Sequence, residues 1–424
     1  MSKKEVDSMS KTFGVIMYSV SFIIGLVVFF AYSGVRQYGM NVDEATWITV
    51  SQWSFQKFFV ERDFDTDEWL TLYGTFGLHT PNAAKLVMGS FLSSQGFRLE
   101  RQCHWDSKLS SDENKTVLSE CLGDRLRLAR ILSSILASVT VSSMFILMIT
   151  LLPSRWNWVG GLVTCSALFA HQAMREAGRY ALIDIYMLFF STIAFVIQCW
   201  WLRFGRRSIA SAVGYGSLVG TVIGLAVASK LSGALTAISV VAVAIADYWI
   251  RRDKYAVFFA SMLIIWPPLI FLAINPQLWP NVWEGIYLML FHRSIIIDYL
   301  DELGLIHIET LSESLNWFFI RVIWDSIRVA SLGNTTPYVV GVISTLLYFA
   351  GFLAMIWRSK DTWPFLVYGI ITISGTLVWV PTPTLRYYLP AVPFFAFGVG
   401  TLTSTLLEKM NASRSDCSSD RGDS

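Results

Sequence analysis

Charge is scarce in this sequence. Only 15% of its 424 residues are Asp, Glu, Lys or Arg, against about 25% in an average globular domain. That shortage excludes a chain whose whole surface lies in water. The net charge of +2 is too small for a nucleic-acid binder, so no nucleic-acid partner is expected. Cysteine is sparse as well. The five are Cys103, Cys121, Cys165, Cys199 and Cys417, and no CxxC or other metal-ligand spacing occurs among them. No internal repeat stands out, which argues against an inverted-repeat transporter. The first apolar run, Phe13 to Tyr32, lacks a small-x-small cleavage site, so it is expected to stay as a first transmembrane helix.

What is there instead is apolar. Hydrophobic residues make up 54% of the chain and mean hydropathy is +0.50. Several runs approach the ~20 residues that cross a bilayer core. We expect an all-α polytopic membrane protein of about ten transmembrane helices. They run over Phe13–Tyr32, Leu126–Leu152, Trp158–Ala173, Ala181–Leu202, Ile209–Ala228, Leu231–Ile250, Tyr255–Ile274, Tyr338–Trp357, Pro364–Val380 and Tyr387–Leu407. Lys3, Lys4 and Lys11 put residues 1–12 in the cytoplasm, and the short connections after the second, fourth, sixth and eighth helices are basic, as the positive-inside rule requires. Residues 13–407 then form one transmembrane domain, with two long outer loops at 33–125 and 275–337 and a polar cytoplasmic tail at 408–424. Asn82–Phe97 reads as an interfacial helix, Arg98–Asp124 as a polar surface loop and Met174–Tyr180 as a turn. The Trp-rich second loop is expected to hold amphipathic helices at the interface. Cys103 and Cys121 share the first loop and are either a disulfide or two free thiols. Asn114 and Asn334 head glycosylation sequons on the same side.

The candidate chemistry sits at the outer helix ends. Asp43-Glu44 opens the stretch after the first span, and adjacent carboxylates at a span mouth are costly to place without a use. Around the same face the topology places His79, Lys85, Arg130, Arg175, Glu176, Arg179, Asp184, Lys230, His292, Arg293 and Arg386. Any one of these alone reads as a helix cap or a snorkelling cation. Together they describe a cavity with carboxylates and cations, suited to a phosphate-bearing lipid substrate and to a reaction that needs a base. A channel or proton relay would place such groups mid-span, and Pro267-Pro268 is the one obvious broken-helix feature.

Motif order adds a resemblance. NVDEATW follows the first helix, then HTPNAAKLVMG, LARILSSILAS, REAGRYALIDIYMLFF, GLAVASKLSG and RYYLPAVPFFAFGVG. This order resembles the GT-C superfamily of polyprenyl-phosphate-sugar-dependent glycosyltransferases. It is closest to glycosyltransferase family 39, the protein O-mannosyltransferase and aminoarabinose transferase branch. The resemblance spans Asn41 to Gly400. HTPNAAK departs from the family spacing by one residue and lacks its second proline. The resemblance implies an inverting transfer from a polyprenyl-phosphate sugar to a hydroxyl of a glycan, lipid or protein acceptor. In that scheme Asp43 is the base, Glu44 and Asp184 support it, and Lys85, Arg130, Arg179, Lys230, Arg386 and His79 bind donor phosphate or substrate. No cofactor is required by the pattern, and a divalent metal is left open. Asp63-Phe64-Asp65 and Asp65-Thr66-Asp67 are the only Asp-x-Asp pairs, in a stretch that reads as a solvated face. The resemblance implies a bacterial inner membrane or endoplasmic reticulum membrane, with the site on the periplasmic or lumenal side. A lipid-linked-sugar or solute transporter, a flippase, or a non-catalytic GT-C-like scaffold are the alternatives.

Overall fold

The computed structural model describes residues 3–33, 41–64, 69, 81–98, 103, 109–205, 208–279, 281–287, 308, 310–324, 336–379 and 384–419. Within them the regular structure is helical. The elements are α1 (Lys3–Ser33), α2 (Val42–Phe55), α3 (Ala83–Ser94), α4 (Ser111–Leu122), α5 (Asp124–Leu151), α6 (Asn157–Ala170), α7 (Gln172–Arg179), α8 (Asp184–Phe204), α9 (Ile209–Val227), α10 (Gly233–Arg251), α11 (Tyr255–Ala273), α12 (Leu311–Phe318), α13 (Thr336–Trp357), α14 (Ser359–Trp379) and α15 (Val392–Ser419).

Among the described residues seven helices are long and apolar enough to cross a membrane. The protein is an integral multi-pass membrane protein. The other three expected spans are present as helices: α6 has 14 residues and ends where the chain turns at His171, α13 covers Thr336–Trp357, and α14 covers Ser359–Trp379 and opens on Lys360 and Asp361. α1 shows how little of a span needs protein around it. Val15, Ile16, Phe22, Ile23, Val27 and Phe30 are all exposed, while Ser21, Val28 and Tyr32 are buried. The exposed residues are the lipid-facing side.

Where spans meet, small residues set the distance. α9 carries Gly216, Gly220 and Gly224 four residues apart, on one face. A Cβ at Gly220 would lie 2.8 Å from Trp266 Cβ and 2.9 Å from the Met262 carbonyl oxygen. Only glycine allows that approach of α9 to α11, the way helices associate where burial of apolar surface gives no drive. α11 stays helical through Pro267 and Pro268.

Three expectations are corrected. Arg98–Asp124 is not a plain loop, because it contains α4. Ser110 caps that helix, its Oγ accepting from the Glu113 N–H (3.3 Å) while the Glu113 carboxylate accepts from the Ser110 N–H (2.9 Å). Ser-x-x-Glu is the sequence signature of such a box. Met174–Tyr180 lies mostly in α7 rather than in a turn, and α15 carries helix into the tail as far as Ser419. The choice at Cys103 and Cys121 is also settled: they form a disulfide with their Cα atoms 6.1 Å apart. Asn114 is buried, and its side-chain amide donates to the Leu109 and Ser110 carbonyls. The Asn334 sequon and His292 lie outside the described residues.

The disulfide is tied to α2. Arg125, at the start of α5, donates to Gln52 Oε1 (3.1 Å) and to the Cys121 carbonyl (2.6 Å). Thr49 Oγ1 donates to the Cys103 carbonyl (3.3 Å). The bridge spans 18 residues, and a loop near that length is worth about 3 kcal/mol in the chain-entropy account. A Cys103→Ser/Cys121→Ser double variant is therefore expected to expose α4 to limited proteolysis before the spans unfold, a fragment pattern that mass spectrometry would read.

Candidate active site

The site begins with the cap of α2. Asn41 has extended backbone, and its Oδ1 accepts from the Asp43 N–H (3.0 Å). Glu44 reaches back so that its Oε2 accepts from the Asn41 N–H (2.9 Å). This reciprocal cap fixes where the helix starts. Both carboxylates then lie in the first turn, where the helix dipole favours negative charge.

The two neighbours have different surroundings. Glu44 is fully buried. Its Oε1 accepts from Arg130 Nε (2.8 Å) and from the Ala181 N–H (2.8 Å), and its Oε2 accepts from the second Arg130 nitrogen (2.7 Å) as well as from Asn41. Four donors occupy this carboxylate, in a bidentate fork plus two backbone amides. Glu44 thus joins α2, α5 and the segment before α8. Arg130 is spent on the same junction and also lies over the Tyr180 ring, 5.6 Å from its centroid.

Asp43 retains 30% side-chain exposure. It is paired with Arg386, from the tight 3₁₀ segment Leu385–Ala391 that leads into α15. A second pair stands beside it. Asp184, buried in the first turn of α8, accepts from Lys230 in the short connection between α9 and α10. Tyr387 links the two pairs: Lys230 Nζ lies 4.5 Å and the Arg386 guanidinium 5.6 Å from its ring centroid. Tyr387 is absent from the candidates read off the sequence, and its adjacency to Arg386 is the signal that could have found it. Arg386 Nε is buried and makes no hydrogen bond among the described residues.

The remaining candidates are placed as follows. Lys85 on α3 is buried and donates to Asn82 Oδ1 (3.2 Å). Burial pushes its ammonium down to about 7. The Asn82 N–H donates to Asn275 Oδ1 (3.0 Å), its side-chain amide donates to Gln277 (2.9 Å), and the Ala83 N–H donates to the Ala228 carbonyl (2.6 Å). The head of α3 is thereby docked on the connection that carries Lys230. Arg179, at the end of α7, lies over the Tyr32 ring, 5.9 Å from its centroid. His79 and Arg293 lie outside the described residues, as do Asp65 and Asp67. Among the described residues no three His, Cys, Asp or Glu side chains converge on a point. Asp43 and Asp184 each face a cation, so they offer no ready ligand set for a divalent metal.

His171, at the α6–α7 junction, holds the second outer loop. Its Nδ1 accepts from the Ala173 N–H (3.1 Å), which leaves the proton on Nε2 to donate to the Val322 carbonyl (3.1 Å). Burial pushes this imidazole down from 6.5 to about 4, aided by the Arg175 charge and opposed by the Val322 bond. A depressed histidine is neutral in the fold and takes up its proton on unfolding. Its contribution is complete above about pH 6.5 and is lost as pH falls towards 4, at ~1.4 kcal/mol per unit. Thermal unfolding in detergent should show that acid-side slope, and His171→Gln should flatten it.

Residues 123–286 match the family described as dolichyl-phosphate-mannose-protein mannosyltransferase. Over most of the chain the fold is similar to the crystal structure of ArnT from Cupriavidus metallidurans in the apo state, at 15% identity and a TM-score of 0.51. The family match covers under half of the chain, and the structural likeness is one of fold. That alignment covers 93% of this chain and 60% of that one, so the chain spans well under the whole length of its structural relative. The same ArnT bound to undecaprenyl phosphate aligns at 15% identity over 92% of this chain and 60% of that one, with a TM-score of 0.47. The S. cerevisiae Pmt1-Pmt2 complex bound to the sugar donor aligns at 16% identity over 63% and 34%, with a TM-score of 0.43. No curated protein matches the sequence.

Proposed function

We propose that this protein is a membrane glycosyltransferase that moves a sugar from a polyprenyl-phosphate donor to an acceptor hydroxyl, with Asp43 as general base. The observation that carries this reading is the pair of carboxylate–cation contacts joined by Tyr387. Of the two adjacent acids, Glu44 has its oxygens filled by structural donors. Asp43 is the part-exposed one, and it is held by a cation rather than by the backbone. The family that matches residues 123–286 takes its name from a dolichyl-phosphate-linked mannose, which supports the donor class.

In this scheme the donor phosphate binds to Arg386 and Lys230, with the unused Arg386 Nε as one donor. Arg386 exchanges Asp43 for phosphate, and the freed carboxylate turns to the acceptor hydroxyl. Asp43 takes the hydroxyl proton as the oxygen bonds to the anomeric carbon. The bond from that carbon to the phosphate oxygen breaks on the opposite face, so configuration inverts. The electron pair leaves with the phosphate, which needs no proton when cations neutralise it. Glu44 acts by holding the start of α2 in place. Asp184 positions Lys230. The outer side is supported by the Cys103–Cys121 disulfide, since such bonds persist in oxidising compartments.

The test uses purified protein in lipid and a radiolabelled polyprenyl-phosphate hexose. Wild type should release or transfer sugar, and Asp43→Asn should bind the donor without turnover. Donor binding by wild type with no transfer across a panel of acceptors would favour a transporter or scaffold instead.

A further inference from the structure

A second pocket lies at the far end of α2 from Asp43. It has a volume of about 280 Å³ and opens between α2, the turn after it, and α3. Nine residues of helix separate Gln52 on its wall from Asp43, about 14 Å at 1.5 Å per residue. It is therefore apart from the paired carboxylates. Gly89 forms part of its floor: a Cβ there would meet the Ser51 carbonyl, so α2 and α3 touch directly beneath the pocket.

The walls are chemically divided. Phe55, Phe97 and Val60 are apolar; Gln56, Ser93 and Arg98 are polar. Arg98 is exposed, and its guanidinium has no carboxylate partner among the described residues. The nearby acid is already occupied, since Glu61 is bound by Lys57 (2.9 Å) and by Gln56 Nε2 (2.9 Å). One wall is a π-helical turn, Gln56–Glu61, closed by Arg62 in the left-handed region at φ 54°. Wide turns of this kind occur frequently at functional sites.

An aromatic track leaves the pocket. Phe55 contacts Phe59 (5.3 Å between centroids), Phe59 contacts Phe58 (5.0 Å), Phe58 contacts Phe64 (5.5 Å) and Phe64 contacts Trp279 (4.8 Å). Phe59 is 52% exposed and Val60 64%, so the track is open to a ligand. Single interfacial aromatics are ordinary anchors. A continuous row that starts inside a pocket with a cation at its mouth fits an amphiphile.

We infer that this pocket binds the phosphate of a lipid, with its hydrocarbon chain on the Phe59–Trp279 track. Arg98 pairs with the phosphate, and the Ser93 hydroxyl and the second N–H of Gln56 Nε2, whose first is on Glu61, hydrogen-bond to its oxygens. The volume is at the lower edge for small-molecule sites, so it takes a headgroup and leaves the chain outside. That favours a lipid phosphate over an oligosaccharide. The occupant is either a bilayer glycerophospholipid or a polyprenyl phosphate outside the reacting site.

Native mass spectrometry of the detergent-purified full chain tests this, with phosphatidylglycerol, undecaprenyl phosphate and inorganic phosphate as probes. Wild type should retain one lipid. Arg98→Gln with Ser93→Ala should lower that affinity about tenfold or more, the loss of a charge-assisted bond. Arg98→Lys should keep most of it, and Phe59→Ser should weaken both lipids without affecting inorganic phosphate. Undecaprenyl phosphate also meets Arg386 in the reacting site, so it is measured in the Arg386→Gln background, and phosphatidylglycerol occupancy should be the same with or without that change. Retention of phosphatidylglycerol, or of undecaprenyl phosphate by Arg386→Gln, identifies the source. An unchanged affinity in Arg98→Gln, inorganic phosphate competing as well as either lipid, or loss of phosphatidylglycerol on Arg386→Gln would each overturn the assignment. Unchanged melting temperatures keep the variants interpretable. Lipid retention with no sugar transfer in wild type would sink the transferase reading alone.

Discussion

Replacing Glu44 by alanine is expected to cost the fold about 3–5 kcal/mol, whereas replacing its neighbour Asp43 by asparagine should cost turnover and little else. The first figure is the usual penalty for leaving one partner of a buried ion pair alone. Glu44→Ala removes at once the carboxylate that accepts from Arg130 and from the Ala181 and Asn41 N–H groups. Glu44→Gln should be milder, because an amide oxygen still accepts from some of them, yet it must turn one donor towards another. Asp43→Asn removes a part-exposed pair with Arg386, and pairs of that kind are worth ~0–1 kcal/mol. As a general base Asp43 should account for about 10²–10⁴ in rate. Thermal unfolding and donor turnover, measured on the same preparations, separate the two. A Glu44→Ala protein as stable as wild type would refute the structural role. An Asp43→Asn protein with wild-type turnover would remove Asp43 from the chemistry.

That division of labour shows where sequence reasoning stops. The adjacent acids are visible because carboxylates at a span mouth are conspicuous. Which of them is structural depends on Arg130 and Ala181, 86 and 137 residues away, and no local pattern reports on such partners. One clue is present: Asn41 stands three residues before Glu44, the spacing of a reciprocal helix cap. Asp43 and Arg386 are both candidates from sequence, but their pairing joins positions 343 residues apart. Most spans are legible to within a few residues, since hydropathy dominates their placement, but the first and last helices run on past the apolar stretch, to Lys3 and to Ser419. α4 and α7 are not, because each is short and polar and is held by a cap, a disulfide or a neighbouring element rather than by an apolar face. The missed role of Tyr387 has a similar cause. An aromatic beside an arginine before a span reads as an interfacial anchor until Lys230 is seen on its other side.

The pair at Asp184 and Lys230 allows position and charge to be tested separately. Lys230→Gln is expected to destabilise the protein by ~3 kcal/mol, because Asp184 is 2% exposed and would be left buried without its cation. It should also lower transfer by about 10²–10³, the loss typical of removing one group that stabilises developing negative charge. Asp184→Asn leaves the lysine in place. Tyr387 still shares its ring with that ammonium, so transfer should fall by less, roughly tenfold, through looser placement of Lys230. The Asp184→Asn/Lys230→Gln double variant is the decisive one. The two introduced amide side chains can form a neutral hydrogen bond in the same space, so stability should return towards wild type while transfer stays as low as in Lys230→Gln alone. Both results are non-additive: the fold recovers, and transfer falls no further than in Lys230→Gln because Asp184 acts on it only through Lys230. If transfer returned together with stability, Lys230 would be a structural partner of α8, and the charge on the leaving phosphate would have to be met by Arg386 and other cations.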